Sequence, residues 1–87
     1  MRVILSHQAE KFMRSLDEKR YGTIREILAY LEIDAVPFRN YDVRKLSGSK
    51  TGFRIRKGKM RVLYSIEKEI NKIFVEKIDW RDETTYD

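Results

Sequence analysis

The spacing of apolar residues changes once along this chain, and that change constrains the fold more than any other feature. Ala9, Phe12, Met13 and Leu16 recur at i, i+3, i+4 and i+7, and Ile24, Ile27, Leu28 and Leu31 repeat the same spacing. That period puts each set on one side of an α-helix. Beyond residue 42 the period becomes two, as in Phe53-Arg54-Ile55-Arg56 and Arg61-Val62-Leu63-Tyr64. Alternation of this kind belongs to strands with one face buried. A short strand over residues 2–6 precedes the helices, with Ser6 as the N-cap of the first. Tyr21-Gly22-Thr23 is expected to break the helical pattern, with Thr23 capping the second helix and Glu26 closing a capping box. Ala35 to Asp42, containing Val36-Pro37, is the connecting loop. Strands follow at Val43–Leu46, on either side of Gly58-Lys59, and at Lys72–Ile78, and residues 79–87 form a polar tail. The order β-α-α-β-β-β-β predicts an α+β fold: an N-terminal strand and a two-helix hairpin packed on a mostly antiparallel sheet of four to five strands.

Eighty-seven residues hold a single domain spanning 1–87, because two would each be too small to bury a core. Apolar residues make up 41% of the chain, enough to fold although 38% is charged. There are no cysteines, which excludes disulfides, thiolate metal sites and a thiol nucleophile, and suits a reducing compartment. No apolar run approaches the ~20 residues of a membrane span, and the start of the chain lacks the long apolar stretch of a secretion signal. A cytoplasmic protein with no membrane association is expected. Abundant Lys, Arg and Glu beside few amide side chains hint at a heat-adapted source.

The net charge of +5 is carried entirely by the second half. Between Asp42 and Glu67 there is no acid, while Arg44, Lys45, Lys50, Arg54, Arg56, Lys57, Lys59 and Arg61 all fall there. Like charges repel and a fold does not need such a block. It is either an anion-binding surface, most commonly for a phosphate backbone, or a solvated face of a basic protein.

Hairpin arithmetic sharpens the choice. With Gly58-Lys59 as a two-residue loop, glycine first as a type II′ turn requires, Lys57 pairs with Met60, Arg56 with Arg61, Ile55 with Val62, Arg54 with Leu63 and Phe53 with Tyr64. Opposed residues share a face, so Phe53, Ile55, Val62 and Tyr64 line the core and Arg54, Arg56 and Arg61 the other side. Opposed arginines weaken a sheet by a few tenths to about 1 kcal/mol. They suit a polyanion, because the guanidinium fork holds phosphate oxygens bidentately. Lysine and arginine on exposed strands also guard against aggregation, but no neighbouring acid in the sequence neutralises this group. His7, the only histidine, belongs at a strand-to-helix junction, and the carboxylates show no metal-ligand spacing. Neither a metal nor a cofactor is expected.

The run KLSGSKTGFRIRKGKMRVLYSI, followed by a strand and IDWRDETTY, resembles the RelE toxins of the RelE/ParE superfamily. The resemblance extends over the length and element order of the chain and is most specific over residues 45–86. It implies the toxin of a toxin–antitoxin pair: a metal-independent, ribosome-dependent endoribonuclease that cuts messenger RNA in the decoding site. It also implies a cognate RelB-like antitoxin as partner, with the ribosome and its message as target. By position, Arg61 and Arg81 match the family's arginines at the scissile phosphate, and Tyr86 matches the tyrosine that stacks on or orients the nucleotide. Arg54 and Arg56 occupy two positions that are lysines in the best-known members. Arginine does not give up its proton at working pH, so Arg56 is no general base. Ser47 stands where some members carry another basic residue. The ParE branch, which inhibits gyrase without cutting RNA, and an inactive RNA-binding relative are the alternative readings.

Overall fold

The structure, a computed structural model, describes residues 1–81. Strand β1 (Arg2–Leu5) leads through Ser6 into helix α1 (His7–Arg14), and helix α2 (Glu18–Ile33) follows after a three-residue break. Strands β2 (Asp42–Lys45), β3 (Gly52–Lys57), β4 (Met60–Glu67) and β5 (Lys72–Trp80) complete the described chain, with a 3₁₀ turn at Lys68–Ile70 before β5. They form one five-stranded sheet in the order β1-β5-β4-β3-β2. Only β1 and β5 run parallel; the other neighbours are antiparallel.

Both helical stripes turn to one face of the sheet. Ala9, Met13, Ile24, Ile27 and Leu31 are buried against Ile55, Val62, Tyr64, Ile73, Val75 and Ile78. Each fully buried aliphatic side chain contributes about 1.5–3 kcal/mol relative to an exposed one. Ser6 joins the two layers. Its hydroxyl oxygen accepts from the Ala9 N–H at 3.0 Å as the α1 cap, and its O–H donates to the Glu76 carbonyl at 2.9 Å. Gln8 extends the seam: its amide donates to the Ile78 carbonyl at 2.8 Å and accepts from the Ile78 N–H at 3.0 Å. The side chain thus serves as a strand partner for β5 beyond the end of β1.

Two expectations are corrected. The helical break lies at Ser15–Asp17, and Tyr21-Gly22-Thr23 is inside α2. Asp17 is the N-cap, accepting from the Arg20 N–H at 2.9 Å, whereas Thr23 donates its hydroxyl to the Lys19 carbonyl. A mid-helix glycine costs only about 1 kcal/mol relative to alanine, and an aspartate cap starting the helix earlier offsets that. The second correction is at the last strand, which runs to Trp80 and so brings Asp79 and Trp80 out of the expected tail and into the sheet. Trp80 meets Phe12 edge-on with centroids 5.4 Å apart, and the Arg20 guanidinium lies 5.7 Å from its ring.

The β3–β4 hairpin has the register expected from the sequence, from Lys57↔Met60 to Phe53↔Tyr64. Gly58 sits at φ 60°, as the first turn position requires, and Lys59 stays at negative φ. Between β4 and β5 the register shifts: Leu63 faces Lys77 while Tyr64 faces Val75. Glu76 is the extra residue of a β-bulge.

Candidate nucleic-acid interface

Strand alternation and this register put a set of charges on the sheet face away from the helices. Two rungs cross it. Asp42, Arg56, Arg61 and Asp79 are consecutive partners in one; Arg44, Arg54, Leu63 and Lys77 are partners in the next. Neighbouring strands lie ~4.8 Å apart and adjacent rungs on one face ~6.8 Å, so the five cations occupy a patch about as wide as a few nucleotides. Arginine opposes arginine twice, at Arg44↔Arg54 and Arg56↔Arg61.

The patch also contains acids that lie at or beyond the ends of the acid-free sequence window. Asp79 takes Arg61 in a bidentate pair, accepting from Nε at 3.0 Å and from Nη2 at 2.9 Å. Lys77 Nζ stands 3.7 Å from the same carboxylate. Asp42 Oδ1 lies 3.5 Å from Arg54 Nη2, at the long limit of a hydrogen bond. Arg54 is only 8% exposed, which makes it the one buried cation among the described residues. A guanidinium taken this far out of water interacts more strongly with any anion beside it. Contrary to the expectation from sequence, acids do stand beside the arginines: β2 and β5 supply one at each end of the outer rung.

The expected site residues divide. Arg44, Arg54, Arg56 and Arg61 come together on this face. Arg81 borders it, its backbone N–H donating to the Lys59 carbonyl at 2.6 Å, which ties the end of β5 to the hairpin tip. Lys45 and Lys57 point by strand alternation to the helix side, opposite Phe53 and Met60. Lys57 and Lys59 line a hollow with Lys19 and Arg20, and Lys50 lines another with Lys45, Glu67 and Glu69. Tyr86 lies outside the described residues. Lys77, Asp42 and Asp79 belong to the face and escaped the sequence reading. Lys77 and Asp79 depend on the bulge, whereas Asp42 could have been found by extending the hairpin register to β2.

Neither described tyrosine with a shifted hydroxyl lies on the arginine face. Tyr64 is buried in the core and donates to the Ala35 carbonyl at 2.8 Å; burial, with Asp34 a lesser influence, holds its hydroxyl far above the usual range. Tyr41 is raised by burial, then by Glu26 and Tyr30. Among the described residues, no group of three or more His, Cys, Asp and Glu side chains could hold a metal ion, and no helix is long and apolar enough to cross a membrane.

No protein-family model matches the sequence. Among curated proteins, a Methanocaldococcus jannaschii protein named as RelE1 toxin is 28% identical over 72 residues, covering 83% of this chain and 80% of its own. Among solved structures, the archaeal RelE–RelB complex from Pyrococcus horikoshii OT3 contains a chain 32% identical, superposing with a TM-score of 0.86 over 95% of this chain and 97% of that one. The isolated Escherichia coli RelE toxin shares the fold, with a TM-score of 0.79 at 16% identity over 95% of this chain and 86% of that one. The α+β architecture is thus that of RelE, and identity above 30% over nearly the whole of both chains shows that this chain belongs to the RelE-type toxins.

Proposed function

We propose that this protein is a ribosome-dependent endoribonuclease that cuts messenger RNA in the decoding site and thereby inhibits translation. The observation that carries the reading is the two pairs of opposed arginines, Arg44↔Arg54 and Arg56↔Arg61, on one face of the sheet with Arg81 at its border. Neighbouring guanidinium groups are unfavourable for the sheet alone and favourable once a phosphate lies between them.

RNA carries its own nucleophile. In the proposed reaction the 2′-oxygen attacks the adjacent phosphorus as the bond from phosphorus to the 5′-oxygen breaks. The 2′-hydroxyl proton is lost, and a proton is delivered to the leaving oxygen. The products are a 2′,3′-cyclic phosphate and a 5′-hydroxyl. Arg54, Arg56, Arg61 and Arg81 stabilise the charge that builds on the phosphate oxygens; one well-placed donor of this kind is worth roughly 3–4 kcal/mol, or 10²–10³ in rate. None of them exchanges the protons. Tyr86 stacks on a base, for about 1–3 kcal/mol, or helps move a proton. The ribosome supplies much of the in-line alignment. The proposed partner that silences the toxin is a RelB-like antitoxin, as in the RelE–RelB complexes of related structure, covering the basic face by charge complementarity.

Mapping message ends on programmed ribosomes tests this. Cuts at fixed codon positions that disappear with Arg81→Ala and weaken with Tyr86→Phe are the expected result. Intact message beside inhibited gyrase supercoiling would overturn it in favour of a ParE-like inhibitor.

A further inference from the structure

The Arg61–Asp79 pair on the arginine face is bidentate. The two residues are register partners on central strands, their side chains are 24% and 21% exposed, and both oxygens of the carboxylate engage the guanidinium. A carboxylate beside a phosphate-binding arginine is costly if its only effect is to repel the phosphate. Its geometry shows another use. Nε and Nη2 form the side edge of the guanidinium, and Asp79 takes that edge. The end edge, built from Nη1 and the second hydrogen of Nη2, is a separate bidentate fork of the same planar group. Holding one edge fixes the plane and direction of the other.

Resting on the function proposed above, we infer that Asp79 is a positioning residue for Arg61: it clamps the side edge so that the end fork meets the scissile phosphate in one orientation. Arginine loses much rotamer entropy when it is ordered, and a clamp formed before RNA arrives removes that loss from the reacting complex. Lys77 Nζ lies 3.7 Å from Asp79 Oδ2, the oxygen that also accepts from Arg61 Nη2, and adds a second positive charge beside the carboxylate. Lys77 and Asp79 both lie on this face because of the bulge at Glu76.

The clamp makes opposite demands on binding and on rate, which separates it from a purely structural role. Asp79→Asn removes a negative charge beside the RNA, so the half-saturating toxin concentration on programmed ribosomes stays unchanged or falls. It also loosens Arg61, so the single-turnover cleavage rate at saturation falls at least tenfold. Asp79→Glu, which keeps the charge and can reach the same edge, recovers part of that loss. In the Arg61→Ala background Asp79→Asn adds no further loss, because nothing remains to position. A variant that cuts at or above the wild-type rate would overturn the clamp, as would losses that multiply in the double variant. A second readout needs no cleavage: in ¹⁵N spectra of the free toxin, the Arg61 Nε–H signal should be distinct and slow to exchange, and lose both properties in Asp79→Asn. An unchanged signal would refute the clamp whatever the rates. If wild-type protein cuts nothing, the nuclease reading falls, and the spectra still decide whether Asp79 orders Arg61.

Discussion

Replacing Tyr64 with Phe tests how the loop before β2 is held to the sheet. The Tyr64 ring stacks on Phe53 with centroids 5.8 Å apart, and its hydroxyl donates to the Ala35 carbonyl at 2.8 Å across the core. Phenylalanine keeps the ring and its packing, so the change removes one hydrogen bond and leaves a carbonyl to be satisfied. The expected cost is about 1–2 kcal/mol. At ~4–8 °C per kcal/mol for a domain of this size, the melting midpoint should fall by roughly 5–15 °C, with an unchanged urea m-value because the surface exposed on unfolding is the same. The gap should also depend on pH. Folded Tyr64 keeps its proton well above the ordinary value of 10.0. Above pH 10 the unfolded chain gives that proton up while the fold retains it, so the unfolded state binds fewer protons and stability drops as pH rises. This contribution is fully present below pH 10 and fades above it, by about 1.4 kcal/mol per pH unit. Tyr64→Phe lacks it, and Tyr41 and the lysines, common to both proteins, cancel in the difference. Urea titrations of both proteins from pH 8 to 11 should show a constant advantage for wild type to about pH 10 and a shrinking one beyond. Equal stability at pH 8, or a gap that does not narrow by pH 11, would refute the assignment of a buried, donating hydroxyl.

Gln8→Ala should cost about 1–3 kcal/mol in urea unfolding, because both backbone groups of Ile78 lose their side-chain partner. Gly58→Ala should destabilise by about 1–2 kcal/mol through φ 60° alone, since nothing lies within 4 Å of the added methyl group. Arg44→Ala should flatten the dependence of log K on log salt for a single-stranded RNA oligonucleotide by ~0.7, the share of one phosphate contact. An unchanged slope would remove Arg44 from the interface.

Most of the architecture was legible because it is written in local periods. Stripes of period 3.6 and alternation of period two put the two helices on one side of a sheet, and Gly58 fixed the hairpin register that gathers Arg54, Arg56 and Arg61. The start of α2 differs because Gly22 and Thr23 look locally like a boundary, whereas Asp17 caps the helix earlier and also pairs with the Arg20 guanidinium; the added stretch from Glu18 to Gly22 is exposed, so the cap and not packing sets the start. The charge balance of the site was misjudged for a different reason. Sequence proximity shows which charges are neighbours along the chain, but a sheet makes neighbours of residues far apart, and Asp79 reaches Arg61 only when β5 lies beside β4.

Composition and pattern alone determined a small basic α+β domain whose arginines share one side of a hairpin. Only the assembled sheet decided which charges of β2 and β5 join that side. The reason is parity: a single extra residue at Glu76 switches the orientation of all that follows it on β5. It turns Ile78 to the core, and Lys77 and Asp79 to the arginines. No local propensity specifies that switch; it is set by which pairing lets Ile73, Val75 and Ile78 be buried together.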